Sequence, residues 1–337
     1  GVAPRDAGDA VDHHPMLAAA VMHLQRQRRA GLDLDALDLE ARAFLQHGVG
    51  APGPRHRAVQ LVGLVAARLQ LADHFLHALQ VIAAVERKLD VYCEKPLAYD
   101  IRECRAMAAA VQKSGRIVQV GFQRRQSPAF QAVRDYLREG RAGKIVCAEA
   151  VINFTADTKD PAPQPPPASL DWDLWCGPAP LIPYSPQVGH KNWRLEQTTG
   201  HGHLVDWGIH LIDAARVILG EAMPVAVSAS GGIYGLKGRI TTPDVLTAHF
   251  EFASCPLTWR HRLWGAAEYA PEVSNGIFFF GEKETVFVTD DRWVTIPREK
   301  GAERKEYKAK AEAGVLHMTD FLNAVRTRTQ PMCPIEE

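Results

Sequence analysis

The order of apolar patterns predicts an α/β domain with a parallel sheet, then an α+β domain around a large, mainly antiparallel, open-faced sheet. Three observations support it. Between about residues 60 and 143, short hydrophobic runs alternate with stretches of helical period. Beyond Gly143, strand-like runs follow one another across short turns. Within the first region, Glu94-Lys95-Pro96 puts a lysine at the end of a short strand that Pro96 stops. In open α/β sheets that edge is where ligands bind.

Taking the elements in order, residues 1–60 are rich in Ala, Arg, His and Leu and show no β-branched strand; Leu34, Leu37, Ala41 and Leu45 lie on one helical stripe. Gly48, Gly50 and Gly53 match G-x-G-x-x-G, but a helix-like run precedes them and Pro52 and Pro54 interrupt, so the segment reads as a loop. Val59 to Ala67 reads as a buried strand or a helix. His77 to Leu89 reads as a helix and Val91-Tyr92-Cys93 as a strand. Asp100 and Glu103 form a capping-box signature ahead of a helix through Lys113, with Gly115 just past its end. Ile117 to Gly121 is the next strand and Ala129 to Arg138 the next helix. That alternation argues for a parallel sheet covered on both faces.

After Gly143, Ile145 to Phe154 alternates like a strand with one buried face. Residues 158–170, with Pro161, Pro163, Pro165, Pro166 and Pro167, make a loop too long for an ordinary connection. Gly202 to Gly220 reads as a helix, on which Asp206 and His210, spaced i, i+4, would share a face. Strands follow at 225–230, 245–252, 257–264, 276–280 and 284–289, with Gly281-Glu282-Lys283 as a hairpin turn. Phe278, Phe279 and Phe280 in succession make both faces of that sheet apolar. One face should cover helices and the other a second subunit.

The bulk numbers limit the function classes. A chain of 337 residues suits about two domains, here 1–143 (with 1–60 atypical) and 144–337. Hydrophobic content of 46%, charged content of 23%, zero net charge and a pI near 7.4 describe a globular protein with no electrostatic call for nucleic acid or an anionic membrane. No apolar run reaches the length of a membrane span. Six cysteines without a C-x-x-C pair read as reduced thiols. A cytoplasmic location is expected, or a periplasmic one if an export leader precedes.

Several blocks now stand in order: Ala72-Asp73-His74-Phe75-Leu76-His77, D-V-Y-C-E-K-P-L-A from Asp90, V-Q-V-G-F-Q-R-R from Val118, D-W-D-L-W from Asp171, Asn192-Trp193-Arg194, and D-W-G-I-H from Asp206. From about Ala72 to the end, the chain resembles the glucose–fructose oxidoreductase/inositol dehydrogenase (Gfo/Idh/MocA-type) family. The resemblance implies a Rossmann-type domain followed by a substrate and oligomerisation domain, working as a homodimer or homotetramer. It implies hydride transfer between NAD or NADP and a sugar, polyol or related hydroxy compound. It also implies roles for residues: Lys95 contacts substrate and cofactor, Asp206 is the site carboxylate, and His210 is the general acid/base. Arg124 faces the substrate. Asp73, His74 or His77, and Glu94 line the nicotinamide half, while Trp193 and Arg194 stand at the mouth of the cofactor site.

Departures from the family pattern lie at the amino-terminal side. The first strand, glycine-rich turn and following acidic residue are missing from residues 1–60, so the Rossmann half is incomplete there. The T-P-D-H-x-H block reads Leu71-Ala72-Asp73-His74-Phe75-Leu76-His77. Either the stretch is out of frame or artefactually joined, or the chain is a divergent paralogue. With no strand before Gly48 and with Pro52 lacking an N–H, weak or absent NAD(P) binding is expected.

In the dehydrogenase reading, His210 takes the hydroxyl proton while hydride leaves the same carbon, Asp206 orients it or grips a neighbouring hydroxyl, and Lys95 polarises the oxygen. Plainer readings compete. His210 would be a packed helix histidine, Asp206 a solvated carboxylate, and Arg124 with Arg125 a surface basic pair. His201 and His203 with His210 evoke zinc, but nothing completes the ligand set, so no metal is expected. Trp172, Trp175 and Trp193 read first as packing residues. Two other classes use the same chain: a glycosidase employing tightly held NAD for transient oxidation, and a cofactor-deficient, non-catalytic homologue.

Overall fold

The computed structural model describes residues 77–337 except 178, 190–191, 266–273 and 311. The stripe at Leu34, the glycines at 48–53, the run at 59–67, and Asp73 and His74 all lie outside the described residues. Helix α1 (His77–Glu86) leads to β1 (Val91–Cys93), and α2 (Ile101–Ser114) crosses to β2 (Val118–Val120). The two strands pair in parallel, Val91 opposite Val118 and Cys93 opposite Val120. Local chemistry sets the bounds of α2: Asp100 accepts from the Glu103 N–H at 3.0 Å, and Gly115 ends the helix in the left-handed conformation at φ 63. Val85, Val91, Met107, Val111, Val118 and Val120 pack as one core. After a 3₁₀ turn (Gln123–Gln126), Pro128 opens α3 (Pro128–Arg138).

The second unit is an eight-stranded sheet. Its strands are β3 (Ile145–Asn153), β4 (Ala226–Gly232), β5 (Val245–Glu251), β6 (Pro256–Arg262), β7 (Asn275–Gly281), β8 (Glu284–Val288), β9 (Arg292–Pro297) and β10 (Lys305–Lys308), in spatial order β10-β9-β8-β7-β3-β6-β5-β4. Among the described residues of this sheet only β3 and β6 pair in parallel. Short helix α4 (Trp172–Cys176) and helix α5 (Ile209–Leu219) lie between β3 and β4 in sequence. Helices α3 and α5 cover one face of the sheet, with Phe130, Val133, Leu211 and Ala215 against Ala150, Trp259, Ile277 and Phe279. Each large apolar side chain so buried contributes about 1.5–3 kcal/mol. Phe279 is fully buried on that side, while Phe278 and Phe280 point to the opposite face and stack at 5.9 Å.

The sequence pattern missed α4, β9, β10 and helix α6 (Ala313–Thr327). Strand β10 reads Lys-Glu-Tyr-Lys and is exposed throughout, so it carries no apolar alternation; its register to β9 holds it, with Trp293 stacked on Tyr307 at 4.1 Å. The chain then returns to the parallel sheet, whereas the sequence pattern placed everything after residue 144 in the second unit. His317 Nε2 bonds the Val120 carbonyl at 2.9 Å, Gln119 Nε2 donates to the His317 carbonyl at 2.7 Å, and Val120 N–H donates to the Cys333 carbonyl at 3.0 Å.

A second correction bears on the site. Gly202–Gly220 is not one α-helix: a π turn (Leu204–Gly208) precedes α5. A Cβ on Gly208 would stand 3.1 Å from Leu204 and 3.2 Å from the Trp259 indole, so the glycine lets the wide turn lie flat on the sheet. Among the described residues no helix is long and apolar enough to cross a membrane.

Candidate active site

The carboxyl end of β1 delivers Lys95 to a cleft of about 710 Å³ between the two units. The cleft is also lined by Gln123 and Arg124 after β2, by Arg194, and by His203, Asp206 and His210 around the π turn. The three residues expected to converge therefore do so. Lys95 Nζ donates to Asp206 Oδ1 at 3.0 Å and to the Asp206 main-chain carbonyl at 2.6 Å. An ammonium has three N–H donors, so one remains for an incoming oxygen. Arg194 Nε meets the other carboxylate oxygen, Oδ2, at 3.1 Å. Burial pushes the Asp206 carboxyl up, but Lys95 and Arg194 outweigh it and hold the group below the usual carboxylate range.

His210 is kept neutral. Burial first, then the charges of Lys95 and Arg124, bring its pKa down to about 3, against the opposing pull of Asp206 and Asp290. Its ring meets Phe122 edge-on at 6.1 Å. The unprotonated ring can accept a hydroxyl proton only where the neighbouring ammonium of Lys95 makes that hydroxyl more acidic, because a pKa this low makes the imidazole by itself a weak base.

Arg124 lines the cleft and is gripped by Asp290, Nε to Oδ1 at 2.6 Å and Nη2 to Oδ2 at 2.8 Å, a bidentate pair. Its Nη1 is buried without a hydrogen-bond partner, which leaves a donor for a ligand. Its neighbour Arg125 turns inward to Asp213 (2.6 and 2.8 Å), the Met332 carbonyl (3.1 Å) and Glu337 (2.7 Å). The reading of the two arginines as a surface basic pair is thus corrected: both are buried.

Other expected residues stand beside the cleft rather than on it. His77 is buried, and its Nδ1 bonds the Pro96 carbonyl at 2.9 Å, bracing the loop that follows Lys95 through a cis Lys95–Pro96 peptide. Glu94 binds Gln123 Nε2 (2.9 Å), the Tyr92 hydroxyl (3.3 Å) and the Lys95 N–H (3.2 Å), tying the ends of β1 and β2 together. Trp193 packs on the cluster of Trp172, Trp175 and Tyr184, and its ring carries Arg194 at 4.4 Å. All three support residues that reach the cleft instead of lining it themselves.

The sequence pattern missed His203 and Asp290. His203 enters the sequence reading only through the zinc alternative, and the glycines at 200 and 202 beside it are the one local hint of a bent backbone there. Asp290 follows the end of β8, and nothing short of the sheet register announces that it faces Arg124. Among the described residues no group of three or more His, Cys, Asp or Glu is arranged to hold a metal.

The residues present fit the nicotinamide end of a dinucleotide. The cleft opens at the carboxyl ends of the parallel strands, with Lys95 and Gln123 on its wall. A Cβ at Gly121 would stand 2.7 Å from Glu94 Oε2, so the glycine allows the strand ends to close up there.

Comparison with known proteins gives the same direction. The family description "Oxidoreductase family, NAD-binding Rossmann fold" matches residues 54–122, and "GFO/IDH/MocA C-terminal domain" matches residues 130–286. A levoglucosan dehydrogenase from Pseudarthrobacter phenanthrenivorans is 30% identical over 53% of this chain and 44% of its own length. A 1,5-anhydro-D-fructose reductase from Ensifer adhaerens is 29% identical over 53% of this chain and 47% of its own. The matched part thus spans under half the length of these two relatives. A solved levoglucosan dehydrogenase in complex with NADH and levoglucosan shares the fold at TM-score 0.58 and 19% identity, covering 78% of this chain and 71% of that one.

Proposed function

This chain belongs to the GFO/IDH/MocA oxidoreductase family, and from that premise we propose that it transfers hydride between NAD or NADP and a sugar, polyol or related hydroxy compound. The observation that carries the reading is the Lys95–Asp206 pair facing a neutral His210 in one cleft. Nicotinamide, when bound, supplies hydride acceptance or donation. The chain's own groups handle the proton and the oxygen. The free N–H of Lys95 polarises the substrate oxygen, a ring nitrogen of His210 takes the hydroxyl proton as the C–H bond breaks, and Asp206 keeps Lys95 aimed. Arg124 Nη1 and Arg194 hold neighbouring hydroxyls. The cleft charges, Lys95, Arg124 and Arg194 against Asp157, Asp206 and Asp290, balance, which suits a neutral polyol better than an anion.

The same reading makes the protein a homodimer or homotetramer, joined through the sheet face that carries Phe278 and Phe280. Light scattering at micromolar concentration checks it, and a monomer would count against it.

A second reading, a homologue poor in cofactor, is favoured by one observation. The match to the NAD-binding fold begins at residue 54, after Gly48, Gly50 and Gly53. Mixing the full chain with NADH and following its fluorescence separates the two. A saturable change at millimolar cofactor supports the oxidoreductase, and no change supports the cofactor-poor homologue.

A further inference from the structure

Among the buried histidines of the described residues, His203 stands apart. His77 bonds the Pro96 carbonyl at 2.9 Å, His261 the Pro243 carbonyl at 3.0 Å, and His317 the Val120 carbonyl at 2.9 Å. His261 also accepts from the Trp259 N–H at 3.3 Å, so its proton sits on Nε2. His203 is 4% exposed, yet neither of its ring nitrogens has a hydrogen-bond partner. Its ring lies edge-on to Phe154 at 4.8 Å and to His261 at 5.9 Å. An all-carbon ring would fill such a pocket without leaving polar atoms unsatisfied.

The backbone is bent to deliver this side chain to the cleft. His201 and Gly202 are both left-handed, at φ 57 and 77, and a Cβ on Gly202 would meet Thr242 at 2.9 Å. Directly beyond lies Asp206, whose Oδ2 is 3.8 Å from His203 Nδ1. That is outside hydrogen-bond range by under 1 Å, and bonds among catalytic groups commonly tighten as substrate closes a site. Burial holds the imidazole pKa near 4, so the ring carries a single proton to share.

We propose that His203 is a positioning residue for Asp206: its Nδ1–H donates to Oδ2 and fixes the carboxylate orientation against which Lys95 and His210 work. Arg194, on the same oxygen, is the more exposed partner, with 39% of its side chain accessible against 5% for His203. A substrate hydroxyl that draws Arg194 toward itself leaves Asp206 held from the protein side by His203 and Lys95. This inference rests on the oxidoreductase reading above.

The test is a set of single variants of the full chain with NAD⁺ and levoglucosan or scyllo-inositol as probes, followed by calorimetry and by turnover. His203→Asn keeps an N–H donor near the Nδ1 position, whereas His203→Phe keeps the ring and its packing. The expected result is a loss of no more than about threefold in kcat for Asn and about a hundredfold for Phe, with KM little changed in both. In an Asp206→Asn background the difference between the two should vanish. A Phe variant equal to or better than Asn, or the two equally impaired, would overturn the positioning role while leaving the oxidoreductase reading in place. A wild-type chain that neither binds nor turns over either probe would overturn both.

Discussion

The two walls of the cleft are built differently. One presents Lys95, Gln123 and Arg124 from the short segments just past the carboxyl ends of two parallel strands, Gln123 and Arg124 on a 3₁₀ turn, where the strand direction aims the chain at the crevice. The other presents Arg194, His203 and Asp206 from a 3₁₀ turn (Asn192–Leu195), a left-handed kink and a π turn lying on a sheet, and His210 from the first turn of α5. The ends of two paired strands anchor the first wall. The second is held by exceptions to regular structure, namely a glycine against Trp259, a second glycine against Thr242, and a lysine donating to a main-chain carbonyl in the π turn. Substitutions on the first wall should therefore separate into chemistry or stability, and those on the second should affect both together.

The adjacent arginines give the largest contrast in stability. Arg125→Ala removes the bidentate partner of Asp213 and a donor to Glu337 and the Met332 carbonyl, but Arg216 at 3.2 Å still compensates the buried carboxylate, so the cost should lie near the lower end for a broken buried ion pair, about 3 kcal/mol. Arg124→Ala leaves Asp290, whose side chain is 46% exposed, in reach of water, so its cost should fall below about 1 kcal/mol of ion-pair loss while ligand binding weakens. Chemical denaturation of both variants decides the matter; equal losses would break the distinction between an inward and a cleft-facing arginine.

Acid should act mainly through the second wall. His203 and His210 have folded pKa values brought down to about 4 and about 3, from 6.5. Between those values and 6.5 the unfolded chain binds more protons than the folded one, so stability is intact above 6.5 and is lost as pH falls. His203 alone accounts for about 3 kcal/mol across that range. Denaturant midpoints measured from pH 7.5 to 4.5 should fall in the wild type and fall less in His203→Phe. A flat profile would mean these rings are solvated and free to charge.

Gly208→Ala should cost about 1–3 kcal/mol, because the added methyl would crowd Leu204 and the Trp259 indole. Thermal unfolding reads the cost, and it should come with weaker ligand binding because the π turn carries Asp206. A neutral result would show that the turn has room to spare.

How much of this was legible follows the same division. Glu94-Lys95-Pro96, the Asp100 cap, Gly115 and the Gly281-Glu282-Lys283 turn are local signals, and each appears where its chemistry puts it. Lys95, Asp206 and His210 were legible from strand end and spacing, but the spacing argument assumed an α-helix where a π turn stands. For His77, Glu94 and Trp193 the resemblance implies a place along the cofactor, and the structure gives them bracing contacts beside the cleft. The Arg124–Asp290 pair and the His203–Asp206 approach join residues remote in sequence or packed by an irregular loop, and no local pattern encodes either. Strand β10 is charged and exposed, so only its partner identifies it.

The central claim is that Lys95 and His210 act together on a hydroxyl carbon against nicotinamide. Its most direct test is reduction of NAD⁺ or NADP⁺ at millimolar concentration by a panel including levoglucosan, scyllo-inositol and simple aldoses, with wild-type chain, Lys95→Ala and His210→Ala. The wild type should turn over at least one member, and each variant should lower that rate at least about a hundredfold. Variants that turn over like the wild type, or a wild type that reduces neither cofactor with any member, would contradict that claim.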